Sequence, residues 1–522
     1  MKENAIAAIP GDLAAWHFLS RTTFGPRPQD MQRAKEAGIA SILEGQLHPE
    51  NIDDSAVEQR ISALPTLTMS PEELMEDFPA PKKAKIQAEK RALTEARPAM
   101  TPDQEGSAPQ AAAEMNPAME AGGPRRILME LGREQLWRAA YSQRQLHEVM
   151  VHFWMNHFNV YAGKGVDKWL LTSFEHDTIR PNALGNFSQL LAATAQSPAM
   201  LFYLDNWLSV APKEDANLGP AQARRGLNEN YGRELMELHT LGVDGGYTQQ
   251  DVRDVARCFS GWTIDRPRQG GGFIFRPRFH DYGEKVVLGR KIQGQGGMED
   301  GMAVLQMLAE HPSTAHFVSF KLCRHFVADD PPTSVVDRAA RTFSESQGDI
   351  RSVLKTILTS REFNSQAAFR TKVKSPFELV TSAMRSLDAE TDGGAPLLGM
   401  IMRMGQPLFL YQAPTGFPDR ANNWINTGTL LARMNFSMAL AANRIRGTQL
   451  DIQSLTPSDD PHEVWDHLVE RTLGGQVTQE TQSAVMKSLE NVDGVERANA
   501  GGFPKTKLMA ALLLGSPEFQ RR

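Results

Sequence analysis

The chain has 522 residues, 41% of them hydrophobic and 23% charged, with 56 basic against 62 acidic side chains for a formal charge of −6. That length accommodates one large domain or two or three ordinary ones, and the composition excludes whole-chain disorder and a fibrous architecture. The mild acidic balance supplies no basic stripe for nucleic acid, Cys258 and Cys323 alone cannot frame a disulfide scaffold, and no window approaches the roughly 18 apolar residues of a spanning helix.

The opening residues lack a basic head followed by an apolar run, so the chain as written reads as soluble and unexported. From Asp12 to about Leu47, Leu13, Trp16 and Leu19 and then Met31, Ala34, Ile39 and Ile42 recur at helical spacing. Residues 1–69 are therefore expected to form short amphipathic helices packed on the main body. Residues 70–124 turn rich in Pro, Ala, Glu, Gln and Met and read as a mobile insertion with one helix near Lys82 to Glu95. The main helical domain, 125–446, carries the marked helix starts: Thr248 with Asp251, and Ser375 with Pro376 and Glu378. Within it, Gly271 to Gly289 has two β-prone runs around a polar turn, His280 to Gly283, which predicts one projecting hairpin. Residues 447–522 are more polar and close with a helix from Lys505 to Leu514. The expected fold class is mainly α, a large multi-helix globular domain with one small β-hairpin projection.

Three segments gather histidine, carboxylate and amide groups. In HEVMVHFWMNHFNV, His147 and His152 lie five apart, about 140° around a helix, so the pair misses the four-residue spacing of a zinc helix. Asn156 and His157 remain as candidates, against the plainer reading of a buried helix whose histidines donate to carbonyls. In LNENYGRELMELHTLG, an α-helical wheel puts Leu227, Tyr231, Leu235 and Leu238 on the apolar face, with Glu234 and His239 flanking it and Arg233 free to pair with Glu237. Glu234 is then the carboxylate whose pKa could rise to a useful value, unless Arg257 neutralises it. The third segment is the turn holding His280 and Asp281, since function often sits on loops carried by rigid elements. Asp205 and Asn206 follow an apolar helix, where capping is the plainer role. Phosphate-loop, dinucleotide and GxSxG motifs are absent.

The segments HFWMNHFNV, FEHDTIRPNALGNFSQLL, SPAMLFYLDN, NENYGRELMELHTLG, YTQQDVRDVARCFSGWT, FHDYGEKVVLG, HPSTAHFVSFKLCRHFV, KVKSPFELV and LLGSPEFQ occur in this order. From Leu13 to the C-terminus, apart from the Pro/Ala-rich insertion, the chain resembles the bacterial family called domain of unknown function 1800. The resemblance implies no agreed reaction. It marks Asn156, His157, Asp205, Asn230, Arg233, Glu234, Asp251, His280 and Asp281 as candidate positions. Members often look exported and their genes often neighbour another uncharacterised, sulfatase-like family, which implies a periplasmic location if a leader has been removed and a partner protein encoded nearby.

Three functions follow as expectations. The leading one is a hydrolase, with a polysaccharide or glycan as substrate and no cofactor, in which Glu234 and Asp205 act as acid and base, His157, His280 and Asp281 assist, and Asn156, Asn230, Arg233 and Trp262 bind substrate. The second is one divalent metal held by His157, Glu234, His239 and His280. The third is a helical scaffold that docks a partner protein. The first two require His157, Glu234 and His280 to approach one another.

Overall fold

The computed structural model describes residues 7–80, 123–211, 226–292, 296–451, 455, 458, 460–496 and 505–522. The body is mainly α. Helices α1 (Gly11–Thr22), α2 (Pro28–Ala37), α3 (Ile39–Leu47), α4 (Ser55–Ile61) and α5 (Pro71–Asp77) lead into the long α6 (Pro124–Tyr141) and α7 (Gln145–His157). Helix α8 (Asp167–Ser173) runs into a π-helical turn, Phe174–Ile179, followed by α9 (Phe187–Gln196) and α10 (Pro198–Tyr203). A second π turn, Leu235–Thr240, continues the short α11 (Asn230–Glu234) and precedes α12 (Gln249–Cys258). After four short strands come α13 (Met298–Ala309), α14 (Pro312–Phe326), α15 (Thr333–Glu345), α16 (Ile350–Leu358) and α17 (Pro376–Ser386). The chain closes with α18 (Ala395–Arg403), α19 (Ala421–Trp424), α20 (Thr427–Ala441), α21 (Pro461–Leu473), α22 (Gln479–Glu496) and α23 (Lys505–Gly515).

One contiguous apolar core runs through nearly all these elements, from Phe18 of α1 to Leu514 of α23. The polar C-terminal stretch therefore folds onto the body, with α23 packed between α20 and α21. Both capping boxes read from the sequence are formed: Thr248 accepts from the Asp251 amide and Ser375 from the Glu378 amide. Each satisfies helix donors that would otherwise be orphaned. Order extends past residue 70. Ser70 caps α5 in a third such box, and Leu74 is buried against Ile127 and Trp169. The helix expected near Lys82 to Glu95 lies outside the described residues. No described helix is long and apolar enough to cross a membrane.

The expected hairpin needs correction. Strand β1 (Trp262–Ile264) pairs antiparallel with β2 (Phe273–Phe275), and β3 (Lys285–Val287) with β4 (Arg290–Ile292), so the two runs flanking His280 belong to separate hairpins. The reason lies in the turn between them. Pro277–Phe279 forms a 3₁₀ turn, and His280 points inward, where its Nδ1 donates to the Ser260 carbonyl (2.8 Å) and its Nε2 faces Asp300 (3.1 Å). A tight hairpin turn has no room for a buried, doubly bonded histidine. A third pair, β5 (Glu390–Thr391) with β6 (Thr448–Gln449), joins the segment after α17 to the segment after α20.

Candidate functional site

A cavity of about 290 Å³ opens between α7, the second π turn, α14, the start of α17 and the loop 415–419. Helix α14 supplies one wall because Phe317, Phe320, Lys321, Arg324 and His325 recur at three and four residues and so share one face. From α7 come His152, Phe153, Asn156 and His157, again one helical stripe. The loop is fastened by a reciprocal clasp: Asn156 Nδ2 donates to the Phe417 carbonyl (2.9 Å) and the Phe417 amide donates to Asn156 Oδ1 (2.7 Å). Gly416 makes this possible. It sits at φ +69°, and a Cβ there would lie 2.1 Å from the Asn156 carbonyl oxygen.

The π turn sets the polar chemistry. Its extra residue per turn breaks the α-helical wheel, so Tyr231, Leu235, Met236, His239 and Thr240 are buried while Leu238 only lines the cavity. His157 Nε2 lies 3.1 Å from the His239 carbonyl, which can only accept, so Nε2 carries the proton and Nδ1 is a bare acceptor. Lys321 Nζ donates to that Nδ1 at 2.8 Å. Burial, with Lys321 adding to it, holds both His157 and His239 well below the ordinary imidazole value, His239 at about 3. Lys321 itself is pushed down from 10.5 to about 8, by burial and then by Arg324, against the pull of Asp419. Near neutral pH a measurable fraction of Lys321 is thus uncharged. Its lone pair is not taken by His157, which offers no proton, and is left for the cavity.

The remaining charges in the wall are largely paired. Arg522 meets Glu378 at 2.9 Å, and Lys372 meets Asp419 at 2.7 Å and Asp329 at 2.6 Å. His325 adds a bond to Asp419 at 3.2 Å. Burial alone would raise both carboxyls, but Lys372 holds Asp419 far below the usual range and Arg522 lowers Glu378, so both stay ionised. Trp424, Phe417, Phe317 and Phe320 provide aromatic surface beside these groups.

Of the residues expected from sequence, Asn156 and His157 line this cavity, the His239 carbonyl lies behind it against His157, and Glu234 and His280 are not in its lining. Glu234 is half-buried on α11, where burial and the neighbouring Glu237 raise its pKa and Arg233 opposes them. Arg257 does not neutralise it, being held by Asp254 (2.6 Å) and Asp281 (2.7 Å). Arg233 turns to Glu229 (3.6 Å) and Gln249 (3.1 Å) rather than to Glu237. His280 sits in a fully buried group with Asp300 and Lys285, whose ammonium is 2.6 Å from Asp300. Asp205 has a left-handed backbone (φ 61°) and pairs with Lys164 at 2.7 Å. Asn230 donates to the Leu204 carbonyl (3.3 Å), and Trp262 is buried on β1. Asp251, the third residue of α12, completes its capping box by accepting from the Thr248 amide, and Asn206 bridges the Phe259 and Trp262 carbonyls. Among the described residues no group of three or more His, Cys, Asp or Glu side chains is placed to hold a metal ion, so His157, Glu234, His239 and His280 are not gathered as ligands.

Sequence reasoning missed Lys321, Arg324, Glu378, Asp419 and Arg522. The stretch FVSFKLCRHF carried a signal: two cations and two phenylalanines on one helical stripe, an arrangement that ordinary amphipathic helices avoid.

The architecture is that of a many-helix protein with small antiparallel hairpins and an aromatic-lined cavity walled by α7 and α14. The chain belongs to the family described as "protein of unknown function (DUF1800)", whose pattern matches residues 17–521. No curated protein and no solved structure matches it.

Proposed function

We propose that the protein is a hydrolase whose reaction centre is this cavity and whose general base is Lys321. The observation that carries the reading is the chain from the His239 carbonyl through His157 to Lys321, set in the wall of an aromatic-lined cavity, together with burial that brings the lysine near neutrality. Catalytic groups work best with a pKa close to the working pH. Neutral Lys321 takes a proton from a water molecule as the water oxygen attacks the substrate. The bond to the leaving group breaks, and the same ammonium returns its proton to the departing oxygen. His157 is a positioning residue: it accepts one Lys321 N–H and fixes where the lone pair points. Trp424 and Phe417, beside Asn156 and Glu237, suit a ring-shaped polyol such as a sugar residue.

The carboxylate pair expected from sequence, Glu234 and Asp205, fits less well, because neither is in the cavity lining, and the cavity's own ion-paired carboxylates, Glu378 and Asp419, are held ionised and cannot serve as acids. Glu234 has the raised pKa but is not in the lining. The test is a panel of nitrophenyl glycosides, esters and phosphate monoesters offered to the wild type, Lys321→Met and His157→Gln. Turnover of at least one probe by the wild type, reduced about 10²–10⁴-fold in Lys321→Met, supports the reading. Equal rates in wild type and Lys321→Met refute it.

A scaffold role has one observation of its own. On α20, Leu430, Leu431, Met434 and Met438 form an exposed apolar stripe, Leu431 at 61% exposure, of the kind that marks docking surfaces. Leu431→Glu should leave turnover unchanged if catalysis in the cavity is the function.

A further inference from the structure

We infer that the substrate carries an anionic group, a carboxylate or a phosphate, which the Arg324 guanidinium binds, leaving Lys321 one turn back as the neutral base. The inference rests on the cavity being the substrate site.

Lys321 and Arg324 lie three residues apart on α14 and so project from the same face. Two like charges on one helical face repel, and folded proteins ordinarily relieve such a pair with carboxylates. Here, among the described residues, neither cation has a carboxylate within ion-pair distance, although the wall contains three. Glu378 is committed to Arg522 and Asp419 to Lys372, while Glu237 accepts from the Tyr247 hydroxyl at 3.4 Å. The Arg324 guanidinium therefore stands without a paired carboxylate in a half-enclosed, aromatic setting, where an incoming anion interacts more strongly than in bulk water.

The posture of Arg324 supports this. Its Nε donates to the Asp329 carbonyl at 2.9 Å, and its guanidinium lies over the Phe320 ring at 4.4 Å. These two contacts fix the plane of the fork and leave both Nη groups free of a protein partner among the described residues. A planar fork held in this way matches a carboxylate or phosphate with two parallel hydrogen bonds. The aromatic rings Phe317, Phe417 and Trp424 then receive the uncharged part of the ligand.

Inorganic phosphate and benzoate serve as probes of the two anion types, titrated calorimetrically into the full chain at constant ionic strength with chloride as the reference. Saturable binding of either probe, weakened at least tenfold in Arg324→Gln with unchanged thermal melts, is the expected result, and the tighter probe identifies the group. Lys321→Met should keep the binding at Arg324 while losing turnover, so a failure of the anion site and a failure of the hydrolase reading are told apart. Binding of both probes no tighter than chloride, or affinity unchanged in Arg324→Gln, overturns the inference.

Discussion

Replacing Lys321 with methionine should make the protein more stable at pH 7. The lysine is lowered from 10.5 to about 8 in the folded chain, so between these values the unfolded state binds more protons, and stability rises with pH across that window. Below about pH 8 the folded state bears the full cost of a charged lysine, about 3 kcal/mol at about 1.4 kcal/mol per pH unit. Water in the cavity screens part of this, and His157 Nδ1 loses its donor in the variant, which costs about 1 kcal/mol. The net gain is about 1–2 kcal/mol. Chemical denaturation of both proteins at pH 7 and pH 10.5 measures it, and the advantage of the variant should shrink at the higher pH, where wild-type Lys321 is already neutral. A variant less stable than wild type at pH 7, or a difference that ignores pH, would refute the argument that burial of an incompletely paired cation tunes this site.

Other consequences follow from the same packing. Arg180 bridges Glu148 (2.7 Å) and Glu175 (2.8 Å) in the core, so Arg180→Met should lower stability by about 3–5 kcal/mol, the scale for leaving buried carboxylates uncompensated; a melt within a degree of wild type would contradict it. Burial alone would lower His176, but its bond to Glu134 (2.7 Å) raises it overall. Its contribution is therefore complete below pH 6.5 and lost as pH rises through the folded value. His176→Asn should flatten the stability profile on the alkaline side of pH 6.5, and an unchanged slope would count against that pairing. Gly416→Ala forces a left-handed alanine against the Asn156 carbonyl, a penalty of about 1–2 kcal/mol from the backbone alone, and should weaken benzoate binding although no cavity side chain is altered. Unaltered melting and binding would show that the loop tolerates the change.

How far the sequence reaches is clearest at α7 and α11. Periodicity placed both helices, and Asn156 and His157 emerged as candidates from a segment that gathers histidine and amide groups and from the family resemblance. The wheel drawn for α11 failed past Glu234, since a π turn adds a residue per turn and no local propensity announces it. That one backbone feature brings the His239 carbonyl to His157. The pairing of β2 and β3 with separate partners was equally hidden, because it depends on Asp300 and Ser260 capturing His280 from 20 residues away in either direction. Lys321 and Arg324 entered only within HPSTAHFVSFKLCRHFV, a segment quoted for the family resemblance. What distinguishes them is which carboxylates are already engaged elsewhere, and Lys372, Asp419, Glu378 and Arg522 meet only in the folded chain.

The reaction centre is tested most directly by the pH dependence of kcat/KM for whichever probe the wild type hydrolyses. With Lys321 as base, the rate should climb along a limb centred near pH 8 as the neutral amine accumulates, and Lys321→Met should lose that limb together with most of the rate. A wild-type profile that is flat from pH 6 to 9, or one that Lys321→Met reproduces, would contradict the account.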